Sequence, residues 1–126
     1  MRQGSISRLA PAPWTGKRCG MFIAWTTLAT RAEADKLAAE IVSLGLAVCG
    51  QVEGPITSQN VWQGRQERAE EFRLCLKCLP DNLPALETHV LGHHPYAIPE
   101  WVVIKAGHVG EKYLSWARSN ATNLPL

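Results

Sequence analysis

The middle of the chain, from Ala47 to Leu79, constrains the fold more than any other part of it. Leu46 to Val52 reads as a strand, and Gly54-Pro55 bends or bulges it. Ile56 to Trp62 carries it onward to a turn at Gln63-Gly64, and a return limb runs from about Gln66 to Leu79. Sixteen residues from Ala47 to Trp62 would extend about 50 Å at roughly 3.3 Å each. A domain of this size has a diameter near 36 Å, from a radius of gyration of about 14 Å. The hairpin tip should therefore project beyond its parent domain. A projecting ribbon with exposed edges, carrying Ile56, Val61 and Trp62, invites pairing with another chain. The alternative is a mobile, solvated hairpin.

The return limb also decides how the cysteines are read. In Glu71-Phe72-Arg73-Leu74-Cys75-Leu76-Lys77-Cys78, apolar residues alternate with polar ones, so Cys75 and Cys78 belong to opposite faces of a sheet. Redox pairs start helices and zinc knuckles sit on turns with a second pair elsewhere, so this Cys-x-x-Cys is read as two ordinary thiols.

Around the hairpin the other elements are short. Met21 to Thr27 is a β-branched and aromatic run, read as a buried strand. Thr30-Arg31-Ala32-Glu33 has the form of a capping box, and Ala34, Leu37, Ala38, Ile41, Val42 and Leu44 follow on one helical face before Gly45. Pro80 to Pro84 opens a second helix with Leu83, Leu86, Val90 and Leu91 facing inward, and Gly92-His93-His94-Pro95 stops it. Trp101 to Ile104 is a fourth strand, and Glu111 to Arg118 a final short helix. The order β-α-β-β-α-β plus a helix predicts an α+β, ferredoxin-like sandwich. Right-handed crossovers then predict an antiparallel sheet in the order 4-1-3-2, with both main helices on one face. Trp25 and Trp101 suggest that another protomer's sheet covers the other face.

Charge and hydropathy limit the partners. Residues 1–20 hold Arg2, Arg8, Lys17 and Arg18 and no acid, whereas the rest of the chain has nine Lys and Arg against eleven Asp and Glu. That body is not a phosphate-seeking surface, so nucleic acid is not expected. No stretch is long and apolar enough to span a membrane, and the expected location is the cytoplasm. The basic leader with Ser5 and Ser7 has the composition of an organellar transit sequence, but Pro11 and Pro13 spoil its helix. The simpler expectation is a disordered extension over residues 1–20, one domain over 21–119 and a tail over 120–126.

The stretch His94-Pro95-Tyr96-Ala97-Ile98-Pro99-Glu100 carries the chemistry. Each proline pushes its predecessor out of helical dihedrals, so the loop has little freedom to lose on binding. Its imidazole, phenol and carboxylate should sit in nearly fixed places.

Together with Thr26-Thr27, Leu46-Ala47-Val48-Cys49, Ser58, Trp62-x-Gly64, Glu71, Lys77 and Tyr113-Leu114-x-Trp116, this stretch resembles the CutA family of divalent-cation tolerance proteins. The likeness spans roughly residues 21–119. It implies a tight homotrimer with interlocked hairpins, similar to that of the PII signalling proteins, and an association with tolerance to copper and other divalent metals. Trp25 stands where metal-binding members can carry Cys, which removes a soft ligand. Asn60 replaces a hairpin Tyr, Gly50-Gln51 replaces Val-Asn, and Cys78 replaces Thr.

Imidazole and carboxylate suit Cu(II) or Zn(II). The expected metal site is His94 and Glu100, completed by His93, water or a neighbouring protomer, with no cofactor required. The competing structural reading has His94 capping its helix, Tyr96 bonding across a protomer boundary and Glu100 paired with Lys77 or another base. His89 and His108 are expected on the surface without ligand-spaced neighbours. A second functional class is a trimeric small-molecule sensor or interaction module, with Lys77, Tyr96 and Trp62 at clefts between protomers. Catalysis is not expected, because Ser58 and Thr27 have no evident base, no glycine loop cradles phosphate and no carboxylate pair is recognisable.

Overall fold

The computed structural model describes residues 20–121, and the expectations for the N-terminal extension and the last residues of the tail lie outside them. Strand β1 (Phe22–Leu28) leads through helix α1 (Arg31–Ser43) to β2 (Cys49–Trp62) and β3 (Arg65–Cys78). A short 3-10 turn (Pro80–Asn82) opens α2 (Leu83–His93), and β4 (Val102–Lys105) and α3 (Glu111–Asn120) complete the order. The sheet runs β2-β3-β1-β4 with every neighbouring pair antiparallel, as the crossover argument requires. No helix among the described residues is long and apolar enough to cross a membrane.

Local chemistry sets the element ends. Thr30 is extended, and its hydroxyl accepts the Glu33 N–H at 3.1 Å, which starts α1. At the other end Gly45 takes a positive φ of 74°. The Gly45 N–H then reaches the Val42 carbonyl and the Leu46 N–H that of Ile41, satisfying two end carbonyls. At the hairpin tip Gln63 and Gly64 both have positive φ, the two-residue geometry whose twist matches the flanking strands. The register slips between Glu53 and Ile56, so Gly54-Pro55 is the expected bulge.

Period-two alternation then sorts the faces. Phe22, Ala24, Leu28, Leu74, Leu76 and Cys78 point one way and bury against Ala34, Leu37, Ala38 and Ile41 of α1 and Leu86 and Val90 of α2. Both main helices therefore lie on one face of the sheet. Ile23, Trp25, Cys75 and Lys77 point the other way, and Cys75 is half-buried while Cys78 is fully buried. The cysteine pair is thus split between the two faces.

Four expectations need correction. Val42 and Leu44 are exposed, because they lie past the edge of the α1 stripe, and Leu91 is exposed on α2 for the same reason. Leu46 to Val48 are buried but precede the strand proper, although the Val48 N–H already bonds the Lys77 carbonyl at 2.9 Å. Strand β4 begins one residue later than predicted, at Val102. Helix α3 continues to Asn120 and buries Ala117, leaving Trp116 about half exposed.

Candidate functional site

Helix α2 stops where Pro95 denies His94 a helical conformation, and His94 is extended at φ −76° and ψ 134°. Its ring turns back toward the end of β1, with Nε2 3.0 Å from the Thr27 carbonyl. The Tyr96 N–H donates to Nδ1 at 3.1 Å. A ring that accepts at Nδ1 must donate from Nε2, so the network selects one neutral tautomer. The Tyr96 ring packs edge-on against the imidazole at 4.8 Å, and its hydroxyl donates to Glu71 Oε2 at 2.9 Å.

The electrostatics follow from this burial. Burial foremost lowers the His94 pKa, opposed more weakly by the Thr27 carbonyl and by the fields of Glu33 and Glu71. The Tyr96 phenol is held well above its ordinary range, by burial first and then by the Glu71 carboxylate that accepts its hydrogen bond. The loop is thereby latched to β1 and β3. Both nitrogens of His94 make hydrogen bonds in that latch, so an ion at this ring would have to displace the Tyr96 N–H from Nδ1.

The expected donors His93, His94 and Glu100 do not come together within the chain; among the described residues the one cluster of three close donor groups takes in His93 but neither His94 nor Glu100. Glu100 is exposed on the loop, and its field adds to the forces that raise the Arg73 pKa, after the 2.8 Å contact of Arg73 with Glu53. Lys77 pairs with Cys49 at one end of the hairpin and holds its ammonium 5.8 Å from the Tyr113 ring centroid. Trp62 pairs with Arg65 at the opposite end, and Tyr96 sits on the loop. One chain does not assemble these three into a pocket.

The cluster that does form is Glu40, His89 and His93. His89 and His93 are one turn apart on α2, and their rings stack at 4.0 Å with planes 20° apart. The His93 Nδ1–H donates to the His89 carbonyl at 2.8 Å, which leaves the lone pair on Nε2. His89 Nε2 lies 2.8 Å from Glu40 Oε1 on the neighbouring helix, and only 13% of the His89 side chain is exposed. The expectation that His89 is a surface residue without a ligand-spaced partner is therefore corrected. The spacing His-x-x-x-His was visible in the sequence, but the approach of Glu40 depends on how α1 and α2 are rotated against each other.

The sheet face opposite the helices is partly apolar and open. Trp25 stands between Cys75 and Val102, and Ile23 between Lys77 and Ile104. Val102 and Ile104 are 49% and 42% exposed, and at the hairpin tip Val61 reaches 74%. The Cys75 thiol on this face is pushed up by burial foremost, with Lys77 acting weakly against it.

Residues 22–120 match the profile of the CutA1 divalent ion tolerance protein family. The divalent-cation tolerance protein CutA of Yersinia pestis (strain Pestoides F) is 34% identical over 94 residues, covering 75% of this chain and 79% of that protein. The structure of CutA from Synechococcus elongatus PCC7942 superposes with a TM-score of 0.77 at 34% identity, covering 81% and 90% of the two chains. CutA1 from the psychrotrophic bacterium Shewanella sp. SIB1 gives 0.80 at 26% identity, covering 83% and 98%.

Proposed function

Because the chain belongs to the CutA1 divalent ion tolerance family, we propose that it is a non-enzymatic homotrimer that binds Cu(II) or another divalent cation weakly to moderately. The observation that carries this reading is the family match across residues 22–120, nearly the whole described domain. In this reading the sandwich is of the ferredoxin-like type, and three sheets meet through their open faces while the hairpins interlock.

The exposure of Val61, Trp62, Val102 and Ile104 supports that assembly, since burying them in an interface removes apolar surface from water. Of the three donors near the end of α2, His93 is best suited to ligation, because His94 is committed to the latch and Glu100 needs a partner from elsewhere. We place the protein in the cytoplasm, and cell fractionation that recovered it with periplasmic or organellar contents would overturn that placement.

Light scattering coupled to size exclusion, followed by metal analysis of the same peak after loading with Cu(II) or Zn(II), tests the proposal. A particle of three chain masses with bound metal is expected. A monomer refutes the assembly, and a trimer that takes up neither ion refutes the metal role. A thermal-shift response to an organic anion, with none to metals, would instead favour a sensor with ligands near Lys77, Tyr96 and Trp62.

A further inference from the structure

We propose that Glu40, His89 and His93 form a divalent transition-metal site on the helical layer, carried by each chain on its own. The inference rests on the metal-binding reading above and gives it a specific place and ligand set. Two imidazoles and one carboxylate are a borderline donor set, suited to Zn(II), Cu(II) or Ni(II) and poorly suited to Mg(II) or Ca(II), which prefer all-oxygen shells.

Three structural features support it. The two histidines lie on one helical face at a spacing of four, and their donor atoms and that of Glu40 all fall within 4.8 Å of one another. A tetrahedral ion about 2.0–2.1 Å from each ligand would need donors roughly 3.3 Å apart. The Glu40–His89 pair is already closer than that at 2.8 Å, and Glu40, with three rotatable bonds and a side chain 39% exposed, has the freedom to adjust its distance to both rings.

The second feature is orientation. Metal-binding histidines commonly donate their other ring N–H to a backbone carbonyl, which fixes the tautomer and aims the free nitrogen at the ion. His93 already has this arrangement, with Nδ1–H on the His89 carbonyl at 2.8 Å.

The third is the contact between His89 Nε2 and Glu40 Oε1 at 2.8 Å, in which a proton occupies the space between a nitrogen and an oxygen that can both ligate. An ion takes the place of that proton, and the imidazole of His89 becomes the tautomer protonated at Nδ1. The cleft of about 220 Å³ beside Glu40 and His93 also presents Glu33 and Lys36, and it gives a hydrated ion a route to the site.

Three protein ligands leave a position for water, so the site is of the exchangeable rather than the closed structural kind. That suits uptake and release of a free cation. The site also lies on the helices, whereas the open apolar face lies across the sheet, so loading should not depend on association.

The test is calorimetric titration of Zn(II) alone into the untagged full chain near neutral pH. One ion per chain is expected. His93→Gln, His89→Gln and Glu40→Gln should each weaken binding at least about tenfold, while His108→Gln, at an exposed position, should not. Circular dichroism of each variant checks the fold, and Glu40→Gln keeps a hydrogen-bonding group for His89 should His89→Gln fold poorly. Co(II) substitution should give intense visible bands of a tetrahedral ion that Glu40→Gln abolishes. Full-strength Zn(II) binding by both His89→Gln and Glu40→Gln overturns the site while leaving metal binding by the protein intact. A wild-type chain that takes up neither Zn(II) nor Cu(II) overturns both.

Discussion

Replacing His94 by Ala should cost stability in a way that depends on pH. The imidazole makes two hydrogen bonds to backbone groups, to the Thr27 carbonyl at 3.0 Å and from the Tyr96 N–H at 3.1 Å. Each is worth about 0.5–1.5 kcal/mol net, and the half-buried setting lets water recover part of the loss, so about 2 kcal/mol is expected in total. With an unfolding entropy of about 2.1 cal/mol/K per residue over roughly 100 ordered residues, that is about 10 °C in Tm. The sign of the pH dependence follows from burial, which lowers the His94 pKa below its ordinary value of 6.5. The unfolded chain then binds more protons, so the His94 contribution is fully present above that value and is lost as pH falls through the lower folded pKa. The reason is chemical as well: an imidazolium has no lone pair at Nδ1 for the Tyr96 N–H. Thermal unfolding of wild type and His94→Ala at one protein concentration, between about pH 8 and pH 5, should show a gap that narrows on acidification. A gap that stays constant or widens would refute the assignment of the neutral, latching tautomer.

Other substitutions test the rest of the fold. Gly54→Ala should destabilise by about 2 kcal/mol or more, because φ is +147° and a Cβ would lie 2.7 Å from Phe72 Cδ2 and 3.0 Å from the Glu71 carbonyl; denaturant titration reads the loss. Leu86→Ala, at a fully buried position of α2, should cost about 2–5 kcal/mol by the same titration. Thr30→Ala removes the hydroxyl that caps α1 and should cost about 1 kcal/mol. Thr26→Val should do the opposite: among the described residues its buried hydroxyl has no hydrogen-bond partner, so thermal unfolding should show a gain of up to about 1 kcal/mol.

The elements, their order and the sheet topology were legible in the residues, because each follows from a local rule. Alternation over Phe72 to Cys78 places Leu74, Leu76 and Cys78 in the core and leaves Cys75 on the other face. Thr30, Gly45, Gln63-Gly64 and Gly54-Pro55 mark a cap, a stop, a turn and a bulge through dihedral limits that need no distant partner. The family was legible as well, from the loop of His94 to Glu100 in company with the motifs around it.

Which groups are free to act was decided by tertiary structure. His94 was the expected ligand, yet Thr27, 67 residues away in sequence, takes one of its nitrogens while the loop takes the other. His89 was set aside as a surface residue, yet Glu40, 49 residues away, meets it across the helix pair. Local sequence carries the period of a helix and the reach of a side chain, but the availability of a lone pair depends on the separation and rotation of elements that only packing brings together.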